Sequence, residues 1–476
     1  MNHPKIERVN TVLLNNFSFT PTAHQKEALH GIAAFLCQYN KQVAFLLKGF
    51  AGTGKTTLID ALVHTLPLFN LKAVLLAPTG RAAKVMSRYA GAPAFTIHRF
   101  IYRMRAHGGS AHFERRANRA NHTVYIVDEA SMISDSSRSG AINGSSLLQD
   151  LLDFVQEGAN CKILMAGDSA QLPPVDTELS PALDGDYLRT SYGFQSREVM
   201  LKEVLRQAAQ SVILKNATAL RQMMPDHVAL PRFELGGDFG RLVEAYEMEE
   251  TLQNAYQNYD RDQIAVIVRS NKRANMFNQQ IRQRILWQED ELSAGDQLMV
   301  VKNNYFWLPE QSQAGFIANG DIVEVRRIFE ITELYGYRFA RCELRLVDYP
   351  EEPPLEAQLL LDVLQMEGPS QSWDQTKAFF ETVLEDYADL PTKVERQREV
   401  RKNPYFNALQ VKFAYAFTCH KAQGGQWPVV FVEKPWLPDG TIDLDYLRWL
   451  YTAFTRAQEQ LWVLGFENEY FGELIS

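Results

Sequence analysis

Short apolar runs alternate with amphipathic stretches over the first two hundred residues. VAFLLK (43–48), KAVLLA (72–77), TVYIVDEA (123–130) and CKILMAGD (161–168) have the length and apolar content of buried strands, and LIDALVHTL (58–66) has helical spacing. Such alternation predicts a parallel sheet with helices on both faces. A second set follows in QIAVIVRS (263–270), VKFAYAFT (411–418), PVVFVEK (428–434) and QLWVLGF (460–466). Its first two members are separated by 271–410, too long for one crossover, so an inserted element is expected there. In that gap DQLMVVKNNYF (296–306), NGDIVEVRRIF (319–329) and YRFARCELRLVDY (337–349) alternate apolar and polar positions around turn signals, predicting a small antiparallel barrel. Residues 355–402 then read largely as helix, with AQLLLDVLQM and DQTKAFFETVLEDY apolar at three- and four-residue spacing. The fold class is therefore α/β, with two parallel-sheet units, a barrel insertion and a helical excursion in the second half.

A chain of 476 residues exceeds what one core organises, so two to four domains are expected. No run approaches a membrane span, and the N-terminus lacks the uninterrupted apolar stretch of a signal peptide. Cys37, Cys161, Cys342 and Cys419 lack metal-ligand spacing and read as buried residues of a reducing compartment, giving an expectation of a cytoplasmic, bacterial or phage-type protein. The net charge of −8 argues against a nucleic-acid partner. Its distribution argues otherwise, because residues 81–120 hold nine Lys/Arg against the single acid Glu114. That stretch is either a basic surface that follows a phosphate backbone or a solvated face. Residues 351–400 hold twelve acids against four basic residues and are not expected to lie along DNA.

The candidate chemistry begins at GFAGTGKTT, Gly49 to Thr57, a complete G-x-x-x-x-G-K-[ST] loop placed after a strand and before a helix. In that setting the backbone of Gly49, Ala51, Gly52, Thr53, Gly54 and Thr57 wraps nucleotide phosphates, Lys55 adds a point charge, and the Thr56 hydroxyl faces Mg²⁺. The cofactors expected are thus ATP and Mg²⁺. YIVDEAS delivers Asp128 and Glu129 at a strand's C-terminal end, Asp128 for the metal and Glu129 to polarise water. A third strand ends in AGDSAQLPPV, where Gln171 is placed to hydrogen-bond a γ-phosphate and the lytic water. No separate carboxylate cluster has nuclease spacing, and no nuclease activity is expected.

GFAGTGKTT, LLAPTGRAAK, FTIHRF, VDEAS, GDSAQLPPV, LKEVLRQ, VRSNKRANMFNQQIR, FAYAFTCHKAQGGQW and LYTAFTRA occur in the order found in superfamily 1 helicases of the RecD-like and Dda-like, 5′-to-3′ branch, which the chain resembles over most of its length. The resemblance implies two RecA-like domains with ATP in the cleft between them. It divides the chain into a first domain at 1–205 with a small wedge insertion near 95–120, a second at 206–295 and 405–476, and an inserted domain at 296–404 with an SH3-like barrel (296–350) and an acidic helical excursion (355–402).

Residue by residue, the resemblance gives Gln25 the adenine edge, Arg206 and Arg456 the γ-phosphate from the far side of the cleft, and Gly424 a place at the nucleotide. On the DNA it implies Pro78, Thr79 and Arg81 at a phosphate. His98 would meet the backbone, and Phe100 would stack on a base or pack in the core. Arg269, Asn271, Asn278, Thr418, His420 and Lys421 would grip the strand. The implied partners are single-stranded DNA and single/double-strand junctions, with no membrane, and the implied state is a monomer. Two readings stay open: a motor that unwinds duplex, or a DNA-stimulated ATPase switch. The acidic excursion either braces the barrel or binds a partner protein.

Overall fold

The computed structural model describes the chain except residues 1–2, 39–41, 108–109, 137–144, 175–176, 205–209, 226–228, 310–311, 313, 438–439 and 473–476, and gives only the backbone elsewhere within 104–113. The first half contains β1 (Val43–Gly49), β2 (Lys72–Ala77), β3 (Ala94–Thr96), a hairpin of β4 (Tyr102–His107) and β5 (Ser110–Arg115), then β6 (Thr123–Val127), β7 (Lys162–Gly167) and β8 (Gln195–Leu201). All but the hairpin form one sheet in the order β3-β2-β6-β7-β1-β8. Every pairing in it is parallel. The even and odd positions of β1 divide between two cores: Phe45 and Leu47 meet helices Ala23–Leu36 and Lys55–Thr65, whereas Ala44 and Leu46 face helix Leu147–Glu157. Burial on both faces is why these strands read as unbroken apolar runs.

The second half holds β9 (Phe239–Leu242), β10 (Ile264–Val268), β11 (Gln297–Val300), β12 (Ile322–Leu334), β13 (Tyr337–Leu346), β14 (Leu355–Leu360), β15 (Leu409–Phe413), β16 (Ala416–Thr418), β17 (Trp427–Glu433) and β18 (Ala457–Leu464). Strands β16-β10-β17-β18-β9 make a second parallel sheet, and β11 to β15 close a barrel. Among the described residues no helix is long and apolar enough to cross a membrane.

Two expectations are corrected. VKFAYAFT is two strands, because β15 ends in the barrel at Phe413 and β16 begins in the sheet at Ala416. Residues 355–360 are a strand where a helix was predicted. Ala357 and Leu359 point into the barrel core while Leu360 faces the helical layer outside, so both faces are buried and the run loses its period of two. Strands β14 and β15 pair in parallel, the only parallel step described in an otherwise antiparallel barrel. A parallel step needs a crossover, and helices Trp373–Glu385 and Lys393–Val400 supply it. Phe379, Val383 and Val400 pack with Phe339, Leu360 and Val301, so the acidic excursion turns its apolar stripe to the barrel.

Candidate nucleotide cleft and strand-contact surface

The loop after β1 is built for close backbone approach. Gly52 and Gly54 have φ of 73° and 82°, which a side chain would strain, and a Cβ on Gly49 would lie 2.9 Å from Thr53 Oγ1. Helix Lys55–Thr65 starts at Gly54 without a side-chain cap, leaving its first N–H groups for an anion. Lys55 Nζ donates to the carbonyls of Gly49 (2.6 Å) and Phe50 (3.0 Å), and Thr56 is exposed beside it.

At the end of β6, Asp128 accepts the Glu129 N–H on Oδ1 (2.9 Å) and the Tyr89 hydroxyl on Oδ2 (2.7 Å). Glu129 sits at φ 51°, a left-handed conformation that costs about 1 kcal/mol or more without glycine. Its carboxylate lies 3.8 Å from Arg456 Nη1. Burial raises the Glu129 pKa, and Arg456 opposes that rise. Arg456 itself is buried and held in place: Nε donates to Thr452 O (3.0 Å), Nη1 to Gly425 O (3.2 Å) and Nη2 to Thr455 Oγ1 (3.2 Å).

Gln171 follows β7 in a turn held from both halves of the chain. Asp168 Oδ1 accepts Ala170 N–H (2.9 Å) and Oδ2 accepts the Tyr451 hydroxyl (2.6 Å), which in turn accepts Ala51 N–H of the phosphate loop (2.9 Å). Leu172 N–H donates to Thr452 Oγ1 (2.9 Å), and Gln423 Nε2 donates to Leu172 O (2.7 Å). Gln171 Oε1 is buried and finds no partner among the described residues.

An uncapped helix start, left-handed glycines and an exposed Thr56 suit a nucleoside triphosphate, and the orphan Gln171 acceptor suits a water donor. No cluster of three or more His, Cys, Asp or Glu suited to a metal occurs among the described residues. Mg²⁺ ordinarily takes one or two carboxylates with water and phosphate oxygens, so Thr56 and Asp128 fit such an ion.

Other predicted residues are placed differently. Gln25 is buried with both amide ends engaged: Oε1 accepts Thr22 N–H in a capping box (2.9 Å) and Nε2 donates to Thr53 O (3.0 Å). It braces the phosphate loop, which corrects the expectation of an open base-reading edge. Gly424, at φ 73°, lies against residues 79–82: a Cβ there would stand 2.9 Å from Ala82 Cβ and 3.3 Å from Thr79 Oγ1, so it belongs to the seam between the halves. Arg206 lies outside the described residues.

On the expected DNA side, Thr79 caps helix Gly80–Ala90 by accepting Ala82 N–H (3.2 Å), with Pro78 half-buried before it. Arg81 crosses the seam, its guanidinium 3.9 Å from the Trp427 ring centre and donating to Asp262 O (3.3 Å). Burial lowers its pKa. His98 lies 5.8 Å from the Tyr102 ring. Phe100 packs against Phe95, Tyr125 and Phe154, the packing alternative of the two expected for it. Asn278 is likewise corrected: it is buried, donates to Ala416 O (3.1 Å), and accepts N–H from Tyr415 (3.0 Å) and Ala416 (2.8 Å). Its amide clasps the step from β15 to β16. Arg269 and His420 are exposed, and Asn271, Thr418 and Lys421 are half-buried. Desolvation and the Arg269 charge lower the His420 pKa, and desolvation brings Lys421 to about 8.

Residues 21–243 match the family model of an AAA domain, and residues 413–464 match the UvrD-like helicase C-terminal domain. The chain is 33% identical over 175 residues to the ATP-dependent RecD2 DNA helicase of Deinococcus radiodurans, covering 37% of this chain and 21% of that protein. In these regions the chain is similar to RecD-like superfamily 1 helicases. It therefore spans about a fifth of the length of the RecD2 relative. An uncharacterized protein, R530 of Acanthamoeba polyphaga mimivirus, is 22% identical over 503 aligned positions, covering 89% of this chain and 95% of that one. The Pif1 helicase structure from Candida albicans aligns at 15% identity and a TM-score of 0.41, covering 95% and 96% of the two chains.

The RecD-like motifs did not by themselves single out Tyr89, Gln423, Trp427, Tyr451 or Thr452. For the last two a signal was available: they stand five and four residues before Arg456 in LYTAFTRA, in the last turn of helix Leu444–Phe454.

Proposed function

We propose that the chain is an ATP-dependent DNA helicase that moves 5′-to-3′ along single-stranded DNA and unwinds duplex at a junction, working as a monomer with Mg²⁺. The observation that carries the reading is Arg456, from the second half, standing 3.8 Å from Glu129 of the first. A guanidinium that completes the site only when the halves approach makes hydrolysis depend on their relative position. The triphosphate supplies a transferable phosphoryl group. Lys55 and the amides of Gly52 and 54–57 hold its charge, Thr56 and Asp128 position the metal, Glu129 orients water, and Gln171 presents its free carbonyl oxygen to that water. Arg269, Thr418, His420 and Lys421 take the strand on one side and Thr79 on the other, and we read the β4–β5 hairpin as the wedge that parts the duplex.

Strand displacement on duplexes carrying a 5′ or a 3′ tail tests this. Unwinding from the 5′ tail alone is the expected result. Hydrolysis stimulated by single strands with no displacement from either tail would instead make the chain a DNA-dependent switch. Lys55→Ala is expected to lower hydrolysis at least about a hundredfold while single-strand affinity persists, since the strand groups lie elsewhere.

A further inference from the structure

Tyr451 occupies a position that the hydrolysis machinery described above leaves unexplained. Its side chain comes from the second half and is 1% exposed, yet its hydroxyl ends between two pieces of the first half. It accepts Ala51 N–H of the phosphate loop at 2.9 Å and donates to Asp168 Oδ2 at 2.6 Å. One hydroxyl proton can make only one donation, so the polarity of this bridge is set by its partners. Burial and the Asp168 charge push the Tyr451 pKa well above its ordinary value, which keeps the donor protonated.

From Asp168 the bonds continue to the turn that carries Gln171, through Ala170 N–H on Oδ1 (2.9 Å) and Gln171 N–H on the Asp168 carbonyl (3.3 Å). From the Tyr451 carbonyl they continue to Arg456, because Thr455 Oγ1 donates to it (2.8 Å) and accepts Arg456 Nη2 (3.2 Å). The phosphate loop, the Gln171 turn and the Arg456 arm therefore meet at one residue. A shift of Ala51 that disturbs the bridge would leave a buried donor or acceptor unpaired, at a cost of about 1–3 kcal/mol.

We infer that Tyr451 is a positioning residue which ties the phosphate loop to both Gln171 and Arg456, so that loop occupancy and the alignment of the hydrolytic groups change together. The inference rests on the ATPase reading given above. It concerns a hydroxyl already engaged by Ala51 and Asp168, so its signature is in turnover and coupling, with nucleotide affinity largely retained.

The test is Tyr451→Phe in the full chain, which deletes one oxygen and keeps the ring. With saturating single-stranded DNA, kcat for ATP hydrolysis is expected to fall about tenfold, within the usual range of site-to-site coupling, while KM for ATP stays within about twofold. Combined with Gln171→Ala, the loss is expected to be clearly less than the product of the single losses, because both variants disable one unit. A residue that only packs would give unchanged kcat per folded molecule and multiplicative losses, and either result overturns the inference. If wild-type protein shows no DNA-stimulated hydrolysis, the ATPase reading itself fails and takes this inference with it. Hydrolysis by wild type matched by Tyr451→Phe removes Tyr451 alone. Should that variant fail to fold, Asp168→Asn changes the bridge from its other end, and the same drop in kcat at held KM is required of it.

Discussion

On the nucleotide side of the molecule, charged and polar groups are buried against partners contributed by the other half: Arg456 beside Glu129, Tyr451 on Asp168 and Ala51, Thr452 on Leu172. On the strand side, Arg269 and His420 stand near solvent and Lys421 is half-buried. On the function proposed above, the difference follows from what each surface would have to do. Phosphoryl transfer gains from dipoles held in place before charge develops, so its groups are locked. A grip that must release at every step gains from charges that stay hydrated and exchange with counterions. Polar residues on the nucleotide side should therefore show large and coupled effects, and those on the strand side small and separable ones.

The largest effect belongs to Arg456. Arg456→Ala should lower kcat for hydrolysis about a thousandfold, as loss of an arginine at a transferring phosphoryl group does. It should also cost about 3 kcal/mol of stability by stranding Glu129 and three buried acceptors. Arg456→Lys should recover little, since one ammonium cannot reach Thr452 O, Gly425 O and Thr455 Oγ1 together. Steady-state hydrolysis with single-stranded DNA and urea unfolding check the two parts. Full activity in either variant would remove Arg456 from the site.

Asn278 comes next, and it tests whether a residue that resembles a strand contact is one. Asn278→Ala should destabilise the protein by about 2 kcal/mol, because the Tyr415 and Ala416 backbone groups lose their partner in a buried setting. Affinity for single-stranded DNA, measured on the folded fraction, should not change. A selective loss of affinity with unchanged stability would reverse the assignment.

Asn278 and Gln25 show where sequence reading stops. Motif order located the phosphate loop, the Asp128–Glu129 strand end and Arg456, since each is a local pattern with a local mechanism. Whether a polar side chain faces a ligand or the chain's own backbone depends on residues far away, such as Ala416 for Asn278. Tyr451 meets Ala51 across four hundred residues, and no window of sequence contains both. Strand β14 was misread for a different reason: buried on both faces, it lost the alternation that marks a strand, and its role followed only from closure of the barrel.

Asp321 is a boundary case, a strand-side group buried as deeply as any nucleotide-side one. Its Oδ2 accepts Ala318 N–H (2.7 Å), and its Oδ1 lies where a Cβ on Gly80 would be only 2.3 Å away, so the barrel abuts the helix start that Thr79 caps. Burial and the neighbouring Asp348 raise its pKa to about 8 against the opposing charge of Arg99. The folded pKa is above the unfolded one, so the folded state holds the extra proton. Its stability contribution is complete at low pH and declines as pH rises toward about 8, by at most about 1.4 kcal/mol per pH unit for one proton. Asp321→Asn should flatten that part of the stability–pH curve. A curve that keeps its slope in the variant would assign the proton elsewhere.

Lys421 should give the smallest effect, and it tests whether a half-buried charge on the strand side acts separably from the hydrolytic groups. Desolvation places its pKa near 8, so the ammonium is charged below that pH and neutral above it. Single-strand affinity should therefore fall as pH rises from 7 to 9, and Lys421→Arg, charged throughout, should remove that dependence. Of the neighbouring groups, His420 has its pKa lowered further from this interval, and Lys412, also near 8 and donating to the Met366 carbonyl, titrates within it, so the pH dependence is assigned to Lys421 only if Lys421→Arg removes it. Lys421→Ala should reduce affinity a few-fold, uniformly across sequences, and lower the slope of log K against log salt by about 0.7, the value for one phosphate contact on a single strand. Titration at several salt concentrations decides it: an unchanged slope would put Lys421 off the path of the strand, whereas a loss confined to kcat would make it part of the locked side after all.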